Sequence, residues 1–206
     1  VLVGLRTLEY RGYDSAGVAV LADGSLKIRR KSGRMAALEA ELEDKGLPES
    51  HQALGHTRWA THGAPADRNA HPHRDHEDRV VVVHNGIIEN YVELRKEMQD
   101  QGISFSSETD TEVIANLLAL ALKENGNLHA ALLKALERLE GAYALVAMAV
   151  GHEGEIVAAR MDSPLVLGVG KEGRFAASDM PALLHLTRDF VFLENGETCV
   201  LRADSH

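Results

Sequence analysis

One cysteine, Cys199, is the whole thiol inventory of this 206-residue chain. A single thiol excludes an internal disulfide and fits a reducing compartment. No apolar run approaches the roughly 20 residues a membrane-spanning helix needs, and no secretory leader is visible. Positive charge is also short. The 22 Lys and Arg against 31 Asp and Glu leave a formal net charge of −9. That balance argues against nucleic acid or an anionic membrane surface as the main partner, while leaving room for a local basic pocket. Repeats, low-complexity segments and a clear linker are absent as well. The expectation is a cytoplasmic protein. Its apolar share of 45% and charged share of 26% are those of an ordinary globular chain, long enough to bury one sizeable core.

Local patterns give an order of elements. Val1, Leu2, Leu5 and Leu8 repeat at helical spacing, and Gly12 is a stop signal. No capping residue precedes Val1, so the chain reads as cut inside a helix. Two β-type runs, 17–21 and 26–32, flank Asp23-Gly24, a strong hairpin signal. A helix is expected over 35–42. Residues 81–86, VVVHNG, read as a strand ending at Asn-Gly, with a helix starting at Ile87 and carrying Ile88, Tyr91, Leu94 and Met98 on one face. Thr109 and Glu112 have capping-box spacing before the apolar run 113–122, and a third helix spans 128–139. Short β-type runs then follow one another, and Asn195-Gly196 reads as a second hairpin turn. Hairpin, helices, then many strands suggest an α+β fold with helices covering sheets.

The chemistry concentrates in residues 56–86. HTRWATHG (56–63) gathers a guanidinium, an indole, a hydroxyl and two imidazoles within eight positions. A strand that delivers Asn85 and the bare backbone of Gly86 to a helix start would make an anion site, because free N–H groups there favour negative charge. One block can hold a charged ligand while the other stabilises charge that develops in a reaction. The competing reading of Asn85-Gly86 is a hairpin turn. Histidines 56, 62, 71, 73, 76 and 84 invite a metal reading, but HPHRDH matches no zinc spacing. Most of these histidines then read as polar loop residues.

Five strings in order carry a resemblance: EYRGYDSAG (9–17), HTRWATHG (56–63), NAHPH (69–73), HNGIIEN (84–90) and SETDTEV (107–113). Together they resemble the N-terminal glutaminase domain of the glutamine–fructose-6-phosphate aminotransferase family, among the class II glutamine amidotransferases. The resemblance covers essentially all of residues 1–206 as one glutaminase domain. It implies a four-layer αββα sandwich with two stacked antiparallel sheets, the N-terminal-nucleophile fold. It also implies hydrolysis of L-glutamine to L-glutamate and ammonia, which a downstream sugar-isomerase domain uses on fructose 6-phosphate. Nothing resembling that second domain is present. The resemblance implies no cofactor and no metal. It implies a homodimer formed through the second domain, so this piece alone is expected to be monomeric.

Site roles follow from the resemblance residue by residue. Arg58 resembles the residue that holds the α-carboxylate of glutamine, a task suited to a planar guanidinium. Asp110 resembles the residue that takes the α-ammonium, though it can equally interact with a helix dipole. Trp59, Thr61 and His62 look like pocket wall and carboxylate donors, and His71 shapes the pocket. Asn85 and Gly86 look like the oxyanion hole. Arg11 resembles a conformational support beside the nucleophile, against the alternative of a solvent-facing helix-terminal Arg. One departure is serious: the family's nucleophile is an N-terminal cysteine whose own amine is the base, whereas residue 1 here is Val1. Cys199 reads instead as a small buried hydrophobe. Two alternatives stand beside the glutaminase reading: a phosphoribosyl-type amidotransferase, and a non-catalytic glutamine-binding module. EYRGYDSAG and the Trp after Arg58 favour the sugar family over the first.

Overall fold

The computed structural model describes residues 1–59, 62–203 and 205. Helix α1 (Leu2–Leu8) runs into a 3-10 turn (Glu9–Arg11), and β1 (Ser15–Ala22) and β2 (Ser25–Ser32) form the first hairpin. Asp23 and Gly24 both have positive φ, as a two-residue hairpin turn matching the strand twist requires. Helix α2 (Met35–Lys45), β3 (Ala53–Arg58), β4 (His73–Arg74) and β5 (Val80–Ile88) follow. Three helices come next: α3 (Tyr91–Asp100), α4 (Thr111–Asn125) and α5 (Leu128–Leu136). The rest is strand after strand: β6 (Gly141–Ala149), β7 (Ile156–Met161), β8 (Val166–Gly170), β9 (Gly173–Ala177), β10 (Asp189–Phe192) and β11 (Thr198–Leu201).

The strands make three antiparallel sheets, in the orders β2-β1-β3, β10-β8-β9 and β11-β7-β6-β5-β4. Three apolar clusters define the layers. Leu5 of α1 and Met35 and Leu38 of α2 pack on Ala16, Val18 and Val20 of β1. The other face of the small sheet, through Ala19, Leu21 and Leu54, meets Val81, Val83, Ala144 and Val146 of the large sheet, with Leu165 and Leu167 from β8 and its approach. The far side of the large sheet, through Val80, Val82, Leu145 and Ala147, packs on Leu94, Met98, Ile114, Leu118 and Leu132 of α3, α4 and α5. The succession is helix, sheet, sheet, helix. Burying one such aliphatic side chain stabilises by about 1.5–3 kcal/mol, so the large helix-facing cluster is the main apolar store.

Four local expectations need correction. The helix expected from Ile87 starts at Tyr91, because Ile87 and Ile88 continue β5 and pair with Ala142 and Gly141. Ile88 joins the same cluster as Leu94 and Met98, which is why the strand end mimicked a helical face. The Asn195-Gly196 turn is real, with Gly196 at φ 82°, but the flanking strands do not pair. Strand β10 pairs with β8 and β11 with β7, so each finds a partner distant in sequence. Glu112 makes no capping box with Thr109; its buried carboxylate accepts from the backbone N–H and hydroxyl of both Ser106 and Ser107. The third helix stops at Leu136 rather than Leu139.

Candidate active site

A cavity of about 570 Å³ opens where β3, the end of β5, the start of α4, β9 and α1 converge. Its floor follows from strand alternation. In β5, Val80 and Val82 face the helices while Val81 and Val83 face the second sheet. The next two residues keep the alternation: His84 bonds Thr111 of α4 through Nδ1 at 3.0 Å, and Asn85 meets His56 of the facing sheet. Strand β3 repeats the plan, with Leu54, His56 and Arg58 the buried positions. Both strands start in the inter-sheet core and end polar, one above the other.

Arg58 is only 4% exposed. Its Nη2 donates to the carbonyl oxygens of His62 and Gly63, and Nη1 lies 3.9 Å from the Asp14 carboxylate without a hydrogen bond. Burial holds the guanidinium below its usual range, opposed by Asp14 and Asp110. A buried guanidinium nitrogen with no acceptor suits an incoming carboxylate. Asp110, also 4% exposed, immediately precedes α4 but caps none of its N–H groups. One carboxylate oxygen accepts from the backbone N–H of Ile88 at 2.9 Å, while the other has, among the described residues, only a 3.5 Å contact from the Thr111 hydroxyl. That second oxygen is available to a cation. Arg58 and Asp110 line the same cavity.

Asn85 and Gly86 also line it, but inside β5 rather than at a helix start. The helix-terminus contribution expected at Gly86 is therefore absent, since α3 begins five residues later at Tyr91. Gly86 has φ 131°, and a Cβ there would sit 2.0 Å from the Ala142 carbonyl oxygen, so only glycine fits. The hairpin-turn alternative for this Asn-Gly pair falls with the continuous β5–β6 register.

The remaining expected residues divide. Arg11 lines the cavity, and its Nη1 donates to the Ser178 carbonyl at 3.1 Å with Asp179 3.8 Å away. It ties the turn after α1 to the loop after β9 while remaining exposed. Trp59 lines the cavity mouth at 61% exposure, edge-on to Tyr13. His62 packs edge-on against Tyr91 and is not among the lining residues. Thr61 lies outside the described residues.

His71 enters the cavity because three contacts shape its loop. Arg30 donates to the carbonyls of Ala70 and Pro72, Asn69 bonds the backbone N–H of Glu108, and Gly17 leaves room for the His71 carbonyl. The reading of the other histidines as loop residues is corrected for three of them: His56 sits buried on β3, His73 on the short β4 and His84 on β5. Burial pulls His56 down to about 4 and lowers His71, His73 and His84, keeping the rings neutral. Among the described residues, no group of three His, Cys, Asp or Glu has the geometry to hold a metal.

Comparison with known proteins now bears on this geometry. A family profile described as a glutamine amidotransferase domain matches residues 56–185. The chain belongs to the glutamine amidotransferase domain family. It is 52% identical over 208 aligned positions to the glutamine–fructose-6-phosphate aminotransferase (isomerizing) of Corynebacterium efficiens, and 50% identical to that of Corynebacterium glutamicum. Each match covers 100% of this chain and 33% of the relative, so the chain spans about a third of the curated relatives' length. Among solved structures, the glutamine phosphoribosylpyrophosphate amidotransferase of Bacillus subtilis superposes with a TM-score of 0.80 at 27% identity, covering 99% of this chain and 44% of that one. The layered α+β fold is that of these amidotransferases.

Within this amidotransferase domain, three contributors escaped the sequence reading. His56 bonds Asn85, Thr111 bridges His84 and His71, and Asp14 stands beside Arg58. A usable signal existed for one of them: His56 and Arg58 are two apart on a strand and so share a face. Thr111 and Asp14 left none, because their partners are far away in sequence.

Proposed function

We propose that this chain is the glutaminase part of a glutamine–fructose-6-phosphate aminotransferase. It hydrolyses L-glutamine to L-glutamate and ammonia, and a downstream sugar-isomerase domain uses the ammonia on fructose 6-phosphate in the cytoplasm. The observation that carries this reading is the convergence of a buried Arg58, a buried Asp110 and the Asn85-Gly86 pair on one cavity. The opposite charges accept the two ends of an amino-acid zwitterion, and Asn85 offers an amide donor toward a carboxamide. The 52% identity to a fructose-6-phosphate enzyme, against 27% to a phosphoribosyl one, supports the sugar acceptor.

The chemistry needs a nucleophile. Cys199 does not fit: burial pushes its thiol up to about 11, and unlike Leu201 of the same strand it is not among the residues that line the cavity. We assign the role to a cysteine upstream of Val1, carried on a strand. Val1 lies against Gly55 of β3, and the sheet-terminal strands β3 and β9 both border the cavity. The cysteine α-amine takes the thiol proton, and sulfur attacks the carboxamide carbon. The oxyanion falls to Asn85 and Gly86. The protonated amine then gives its proton to the leaving nitrogen, which departs as ammonia, and water hydrolyses the thioester to glutamate.

The test is glutamate release from glutamine by the chain beginning at Val1, by a cysteine-initiated extended chain, and by the extended chain carrying Cys199→Ser. The expected outcome is activity in both extended chains and none in the short one. Activity from the short chain that Cys199→Ser abolishes would overturn the mechanism. Glutamate binding without turnover in every version would favour the binding module.

A further inference from the structure

We infer that His56 is a positioning residue, which grips the Asn85 side-chain oxygen so that the amide nitrogen is turned into the cavity. The inference rests on the oxyanion role proposed above for Asn85. An asparagine amide can sit in two orientations half a turn apart, and they are opposite in effect. With Nδ2 inward it donates to a developing oxyanion; with Oδ1 inward it presents lone pairs to that negative charge. Something must choose between them.

The choice is made by a single contact. His56 Nε2 lies 2.9 Å from Asn85 Oδ1. Oδ1 only accepts, so Nε2 carries the ring proton and Nδ1 is a bare lone pair. The reverse pairing, with Nδ2 donating to an unprotonated Nε2, would move the ring proton to Nδ1. That atom is buried and makes no hydrogen bond among the described residues, the His84 backbone being the last and smallest of the influences on the ring. An orphaned N–H in such a place is rarer and more costly than an orphaned acceptor. The tautomer that satisfies the ring is therefore the one that turns the Asn85 donor inward.

The ring itself is held in place. Its backbone pairs with Gly17 in the β1–β3 ladder, and its face stacks on His71 with centroids 4.2 Å apart and planes 18° apart. His71 Nε2 is 3.4 Å from the Thr111 hydroxyl, which also meets His84 Nδ1 at 3.0 Å. Residues from β3, the 70–72 loop, α4 and β5 thus form one chain of contacts, in which His56 is the member that touches the amide. Burial, which pulls His56 to about 4, keeps the ring neutral at ordinary pH.

The test compares His56→Gln with His56→Met in the intact, cysteine-initiated enzyme. The two replacements have nearly the same length, but only Gln offers an N–H near the Nε2 position. His56→Met should lower kcat by about tenfold or more, though by less than the 10²–10³ expected for losing the oxyanion donor itself. The Michaelis constant should stay within about twofold, because the contact matters only after attack. His56→Gln should recover most of the lost turnover. The double variant His56→Met with Asn85→Ala should be no slower than Asn85→Ala alone, since His56 acts through that side chain. Equal losses in the Met and Gln variants, or additive losses in the double variant, would overturn the inference while leaving Asn85 its role. Should Asn85→Ala itself keep full turnover, the oxyanion reading fails and this inference with it. If His56→Met does not fold, His56→Leu carries the same comparison with His56→Gln.

Discussion

The two ends of β5 are built on the same plan and do opposite work. From Val80 to Val83 the strand feeds two dry cores in alternation, one against α3–α5 and one between the sheets. From His84 to Gly86 the one-to-one pairing with β6 continues, with Gly86 turned to φ 131°, but the side chains become an imidazole, an amide and a hydrogen atom. Asn85 takes the place a third inter-sheet residue would have, and His84 the place of a third helix-facing one. The difference teaches that the alternation which fills two cores can also aim a reactive group, with a special backbone demand only at Gly86. Strand β3, going from Leu54 to His56 and Arg58, makes the same transition on the facing sheet. The cavity lies where the two apolar strand faces end together.

That contrast can be broken from either end. The largest effect is expected at the charged clamp, where Asp110→Asn should weaken glutamate binding by about 3–5 kcal/mol, the cost of leaving a buried charge without its partner, while Arg58→Lys, which keeps the charge but loses the planar fork, should weaken it by less. Asp110→Asn is the cleaner change, because the amide oxygen can still accept from Ile88 N–H. Calorimetry with glutamate on the cysteine-initiated enzyme measures it, and an unchanged affinity in both variants would remove the clamp.

A smaller effect belongs to the apolar end. Val82 is fully buried against the helices. Val82→Ala should cost about 2 kcal/mol of unfolding free energy, from two lost methyl groups plus a residual cavity. The Michaelis constant for glutamine should not move. A urea titration beside steady-state kinetics would show both, and a raised Michaelis constant with intact stability would contradict the division of labour.

The last effect, spread over several residues, is that of pH. His56, with a folded value of about 4, sits below its ordinary value near 6.5, and burial lowers His71, His73 and His84 as well. Asp110, 4.0 Å from His84, opposes the last of these shifts. Between about 6.5 and 4 the unfolded chain binds protons that the folded chain refuses, so stability is full above this window and falls as pH drops through it. Each such histidine contributes up to about 1.4 kcal/mol per pH unit. Urea midpoints at neutral pH and near pH 5 should differ in that direction, and a midpoint that rises on acidification would contradict the neutral, buried rings.

What was legible in the sequence was local. The Asp23-Gly24 hairpin, the valine strand, the α4 run and the residues gathered in HTRWATHG all announce themselves through turn chemistry or periodicity. What failed was whatever depends on a distant partner. Ile87 and Ile88 read as the start of a helix because β6, which claims them, lies more than fifty residues on. The strands around Asn195-Gly196 read as a hairpin because their true partners, β7 and β8, could not be seen from the turn. Glu112 matched a local capping pattern and instead holds the 106–107 backbone. The histidines looked like loop polarity until the packing of β3, β5 and α4 put them face to face. Arg58 and Asp110 could be named from motif context, but the Asn85 contact with His56 exists only where two sheets stack.

The most direct measurement is the steady-state kinetics of Asn85→Ala in the cysteine-initiated enzyme, with glutamate release as the signal. Turnover should fall on the order of 10²–10³ while the Michaelis constant stays nearly unchanged, because the donor meets a charge that exists only after attack. Preserved turnover with a raised Michaelis constant would make Asn85 a ground-state contact and contradict the role of the polar end of β5.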